Sequence, residues 1–166
     1  IYMALGISMA AELKHEASNT RKILSRIPGE HFEWRPHEKS MAAGRLASHI
    51  AELTQWAGLI INMPEFDFAK TPLNRCKAAD TKELLDFFEQ NLEQAIATLQ
   101  AATDEVLNEN WILRRGEIVV VNLPKKVALR SMLMNHIIHH RGQLSVYLRL
   151  LNIPVPGMYG PSADEK

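Results

Sequence analysis

Two histidines one helical turn apart, His136 and His140, are the residues in this chain whose spacing most directly suggests chemistry. The i, i+4 interval places two imidazoles on one face of a helix, where both can reach a single point. On a helical wheel of about 100° per residue with His136 at zero, Leu129 and Tyr147 fall near 20°. His140 then lies near 40°, Leu133 and Leu151 near 60°, and Leu144 near 80°. Both rings therefore sit inside the apolar stripe, with His139 on its flank. A second wheel, about His49, puts Ala42 and Ile60 near 20°, Leu53 near 40°, Leu46 near 60° and Trp56 near −20°. His49 also projects from a core stripe.

An uncompensated polar group in a core costs on the order of 1–3 kcal/mol, so imidazoles at such positions need partners. One alone reads as a satisfied core histidine. Three read as a ligand set if the two helices face each other, and spacing alone does not show that they do. Three imidazoles hold Zn²⁺ or a similar divalent ion and leave a coordination position open for water or substrate.

The neighbouring groups read more plainly. His139 belongs to the rim of such a site or to its surroundings, and His15, His31 and His37 to surface or loops. Glu52, one turn after His49, is a possible base or supporting carboxylate, though a solvated flank position fits it better. Arg141 points off the stripe, toward either a substrate anion or an acidic partner, and Gly142 would permit close helix approach. Arg114-Arg115 and Lys125-Lys126 read as solvated charge, and Cys76 as an inert thiol. No glycine-rich phosphate loop, Cys-x-x-Cys pair or Gly-x-Ser-x-Gly elbow is present.

The elements that must position these groups follow from periodicity and breakers. Helices are expected over about residues 8–27, 41–62, 81–102 and 125–151. Ser40 is the expected N-cap of the second, and Asp80 with Glu83 a capping-box start for the third. Pro124 opens the fourth, and Pro154 and Pro156 stop it. The link over 63–80 is long enough to let the third helix run parallel to the second. Residues 118–121, Ile-Val-Val-Val, read as a short extended piece before the fourth helix. The expected fold is all-α: a four-helix bundle in one domain over 1–166.

Composition bounds the function. The chain has 166 residues, 46% hydrophobic and 23% charged, with 19 basic and 19 acidic side chains and no net charge. That is globular composition, and it lacks the basic surplus expected of a protein that neutralises phosphates. Neither nucleic acid nor a membrane is an expected partner. No apolar run approaches the roughly 18 residues of a spanning helix. Residues 1–11 lack the basic start of a signal peptide. A single cysteine fits a reducing, cytoplasmic setting.

Residues 135–144, Asn-His-Ile-Ile-His-His-Arg-Gly-Gln-Leu, resemble the fourth-helix signature of the DinB-like family of damage-inducible metalloproteins. Pro36-His-Glu-Lys-Ser-Met41, followed by Leu46-Ala-Ser-His49-Ile-Ala-Glu-Leu53, resembles the second-helix signature, and the segment over 153–164 resembles the family's tail. The resemblance implies an up-down-down-up bundle, often a homodimer, in which His49, His136 and His140 hold zinc or nickel. Relatives include transferases and an isomerase that use low-molecular-weight thiols. The expected function is therefore a metal-dependent enzyme on a small molecule, activating a thiol or water, with thiol transfer ahead of hydrolysis. A non-catalytic metal or stress sensor or a dimeric scaffold is the alternative, and a bundle with an empty site a third. No catalytic base is assigned; Arg141 and Tyr147 are the candidate substrate contacts.

Overall fold

The computed structural model describes residues 4–165; the first three residues of the apolar start and Lys166 lie outside it. Four long helical stretches share one core. Helix α1 (Leu5–Leu24) packs on α4 (Thr81–Ala101), its Met9, Leu13 and Ala17 meeting the stripe Leu84, Phe88, Leu92, Ala95 and Leu99. The α4 start is boxed as its residues dictate: the Glu83 amide donates to Asp80 Oδ1 at 2.8 Å, and Glu83 Oε2 accepts from the Ala79 amide at 2.8 Å.

The second stretch is α2 (Ala43–Glu52), a 3₁₀ turn over Leu53–Gln55, and α3 (Trp56–Asn62). Ser40 does not cap it. Ala42 is the N-cap and offers no side-chain acceptor. The backbone of the preceding aromatic stretch does the work instead: the Ala43 amide donates to the Trp34 carbonyl at 2.7 Å and Gly44 to Phe32 at 2.9 Å. This close approach needs a glycine, because a Cβ at Gly44 would stand 2.6 Å from the Phe32 ring.

After the short helix α5 (Asp104–Asn108), the last stretch is α6 (Lys125–Leu129), a π segment over Arg130–Met134, and α7 (Asn135–Leu150). Arg130 anchors the π segment to α1 through Glu12, at 2.5 and 3.0 Å. Asn152, at φ 57°, ends α7 in the left-handed conformation, with the Ile153 amide returning to the Leu148 carbonyl.

The expectation of an all-α bundle is wrong. A three-stranded mixed sheet of order β1-β2-β3 is built into the helices. Strand β1 (Glu65–Asp67) runs parallel to β2 (Asn110–Arg115), and β2 antiparallel to β3 (Ile118–Pro124), with a bulge between Leu113 and Arg114. The extended piece expected over 118–121 is thus one arm of a hairpin turned at Gly116, whose φ is +59°. The long link contributes a strand that closes the other side of β2. Phe66, Trp111 and Phe68 pack around Trp56 with ring centroids 5.6, 5.9 and 6.1 Å away, which seats the sheet on the start of α3. Asp67 Oδ1 accepts from the Ala69 and Gly116 amides, both at 2.9 Å, and ties β1 to the hairpin turn.

Two charge runs read as solvated are partly structural. Arg114 Nε lies 3.1 Å from Glu65 Oε2 across the sheet. Lys125 is buried and donates to the Ile61 carbonyl and to Glu109 at 3.0 and 2.8 Å. Among the described residues no helix is long and apolar enough to cross a membrane.

The two glycines of the site helices should respond oppositely to alanine. Gly44→Ala forces Phe32 to move and should lower stability by about 1–3 kcal/mol. Gly142 meets nothing within 4 Å, so it does not serve close helix approach. Gly142→Ala should raise stability by about 0.5–1 kcal/mol through helix propensity. Denaturant midpoints of the two variants check both signs.

Candidate metal centre

The packing of α2 on α7 brings His49, His136 and His140 together, each offering a ring nitrogen within 4.8 Å of the other two. Ring centroids are 5.2 Å apart for His49 and His136, and 4.7 Å for both His49–His140 and His136–His140. His136 directly follows the π segment by one residue and His140 lies a turn further on, so the i, i+4 relation is kept within regular helix. The π segment changes the facing of residues before it, which lets the Arg130 side of the helix meet α1 while both histidines meet α2.

The donor set suits a divalent cation. Nδ1 of His140 lies 2.7 Å from Gln143 Oε1, an acceptor, so Nδ1 carries the proton and Nε2 is the free ligand atom. Burial, then the neighbouring His140 and His49, pushes the His136 pKa down to about 4, with the Met132 backbone working in the other direction. Burial also lowers His140, against the Gln143 hydrogen bond. Both rings are therefore neutral near pH 7, the state in which imidazole binds metal. The three-histidine group could hold a metal ion.

Glu52 is not a solvated flank residue. It is 4% exposed, although it lies off the apolar stripe, because the 68–80 link folds over it. Its carboxylate accepts from Arg45 at 2.9 and 2.6 Å, from Arg75 at 2.9 Å and from the Cys76 amide at 2.9 Å. It stands 3.7 Å from His49 Nδ1. Burial alone would raise its pKa; His49, Arg45 and the Cys76 amide override that and hold it at about 2. So held, it is a poor proton acceptor near neutral pH. It anchors the link and sits behind His49. The buried Cys76 contributes its amide here, and its thiol is not among the three clustered ligand residues.

Of the two partners expected for Arg141, the structure shows the acidic one. Arg141 is 3% exposed and pairs with Glu16 of α1, donating also to the Glu16 carbonyl at 2.8 Å and to Tyr159 at 2.5 Å. Tyr159 in turn donates to Glu16 at 2.8 Å. The tail is thereby pinned to α1 and α7 at the Arg141 flank, and Arg149 holds Asp164 at 2.7 Å. Tyr147 donates to the Met41 carbonyl at 3.2 Å and stacks edge-on with Trp34 at 5.6 Å. It shares the His140 face of α7 two turns on. His139 is exposed, its ring 4.8 Å from that of His140.

The depressed His136 pKa sets a pH dependence for the metal-free protein. Below about 6.5 the unfolded chain takes a proton that the folded ring refuses until about 4, so stability falls as the pH drops through that window. Glu52 adds a loss at lower pH, between 4.5 and about 2. Denaturant midpoints against pH should show the upper slope, and His136→Gln should flatten it. An unchanged slope in that variant would contradict the burial of a neutral ring.

Comparison with known proteins agrees with this architecture. The model of the DinB family matches residues 3–166. Two proteins of Bacillus subtilis strain 168 are similar, both named uncharacterized. YrdA is 26% identical over 151 residues, covering 90% of this chain and 85% of its own. YjoA is 30% identical over 133 residues, covering 78% and 80%. The crystal structure of the DinB-like YjoA superposes with a TM-score of 0.68 at 22% identity, over 89% of this chain and 95% of that one. A DinB-like protein from Bacillus cereus ATCC 10987 gives 0.67 at 23% identity, over 96% and 100%. The chain belongs to the DinB family.

Proposed function

We propose that the protein is a metal-dependent enzyme acting on a small molecule, with zinc or nickel held by His49, His136 and His140. The observation that carries the reading is the convergence of three ring nitrogens, two of them on rings kept neutral, on one half-buried point. A divalent ion held by three imidazoles supplies a Lewis acid with an open position, which lowers the pKa of a bound thiol or water toward neutrality.

The surroundings favour a thiol over water. Hydrolysis calls for a base that takes a proton near pH 7, and the carboxylate nearest His49 is tied to two arginines with a pKa of about 2. A thiol starts from a pKa near 8.5 and needs no such base once a cation stabilises its anion. The protein's own part is positional. Gln143 fixes the His140 tautomer, Glu52 backs His49, and the Trp34–Tyr147 pair walls the face of α7 beyond His140. This reading makes the protein a thiol S-transferase in a reducing cytoplasm, working as a homodimer on a small electrophile. Neither nucleic acid nor membrane is among its partners.

The same lack of a free base supports a second reading, a non-catalytic metal-binding sensor or scaffold, which requires a closed coordination shell. Elemental analysis of untagged protein should find about one equivalent of metal, lost in His49→Ala and in His140→Ala. Metal-loaded wild type should then transfer a small thiol to an electrophile and lose that activity on chelation. Full activity without metal would overturn the enzyme reading, and a bound metal that admits neither water nor thiol would favour the sensor.

A further inference from the structure

The segment after α7 is folded on itself and laid against α7 and α1. Asp164 accepts from Arg149 at 3.1 and 2.7 Å and from the Val155 amide at 2.8 Å. Ser162 donates to the Val155 carbonyl at 2.5 Å, and Glu165 accepts from the Gly157 amide at 2.8 Å. Residues 155–165 thus form a closed loop that carries Tyr159. Tyr159 is 67% exposed, so packing does little to hold it. Its hydroxyl does the holding, accepting from Arg141 at 2.5 Å and donating to Glu16 at 2.8 Å. Its ring also faces the guanidinium, whose carbon lies 5.7 Å from the ring centroid.

Arg141 is where this contact reaches the histidine centre. It directly follows His140 on α7, about 100° further round the helix. A side chain fixed at 141 therefore sets the rotation of α7 about its own axis, and with it the direction of His136 and His140. The π segment directly before α7 departs from the 3.6-residue period, so α7 does not simply inherit its facing from α6. The guanidinium is buried, and its Nε lacks a partner. It depends on the Glu16 carboxylate and carbonyl, the Thr20 hydroxyl and Tyr159. Of these groups, Tyr159 is the one from outside α1. A hydroxyl that accepts from the cation and donates to the anion closes the pair in a way that a phenyl ring cannot.

We propose that Tyr159 is a positioning residue for the three-histidine centre: through Arg141 it fixes the rotation of α7 that aims His136 and His140 at His49. The inference deepens the metal-centre reading and rests on it for the effect on a metal, but not for the hold on α7. The coupling runs both ways, so a metal that fixes α7 also favours the docked loop.

Tyr159→Phe removes one hydroxyl from an exposed side chain and leaves the core untouched. In the metal-free protein, amide hydrogen exchange over residues 137–144 should be faster in this variant than in wild type. Zinc, titrated in competition with a chromophoric chelator, should bind several-fold more weakly, up to about tenfold. Asp164→Asn, which frees the other end of the loop, should act in the same direction. Cobalt(II) in place of zinc should show altered visible bands in Tyr159→Phe, a change of ligand geometry that a role in stability alone would not produce. Zinc held as tightly by Tyr159→Phe as by wild type, or an unchanged cobalt spectrum, would overturn the proposal. Faster exchange in Tyr159→Phe, in a protein whose wild type binds no zinc, would overturn the metal-centre reading and leave the hold of Tyr159 on α7 standing.

Discussion

Three imidazoles whose ring nitrogens lie within 4.8 Å of one another form the constraint on which the rest of this fold depends. Each protonated ring would repel the other two in a place where water screens poorly. Burial keeps His136 and His140 neutral near pH 7, and a metal ion held between the rings would turn their crowding into bonds. Everything around it holds α2 and α7 at one separation. The Phe32 and Trp34 carbonyls fix the start of α2, Glu52 binds the 68–80 link across its flank, and the Arg141–Glu16 pair ties α7 to α1.

Charged groups near the site are occupied with this task. Arg141 and Glu52 have the residue types of catalytic groups, yet both are buried in ion pairs that link separate elements. Removing one partner of such a pair leaves an uncompensated buried charge, so these positions are structurally sensitive even though they need not touch a substrate. On the proposed reading the chemistry falls to the imidazoles.

The site was far more legible in the sequence than the fold around it. The His136–His140 pair is visible because helical spacing alone puts both rings on one face. That His49 meets them depends on a helix 87 residues earlier in the chain, which periodicity cannot pair; the resemblance to DinB-like proteins supplied it. The sheet was hidden for a different reason. Strand β1 is three residues long, too short to show alternation, and its parallel partner Ile112 lies far along the chain. The bulge in β2 and the exposed side chains of β3 blur the rest of the pattern. Glu52 and Arg141 lie off the helical stripes and look solvated on any wheel. They are buried by the link and by α1, neighbours that a single helix does not reveal.

The central claim is that one divalent ion sits between the three histidines. A crystal of the protein grown with zinc and measured on both sides of the zinc absorption edge tests it most directly. The account predicts one strong anomalous peak, equidistant from ring nitrogens of His49, His136 and His140, with His140 bonded through Nε2. A peak at Cys76 or at surface carboxylates, with none between the imidazoles, would contradict it.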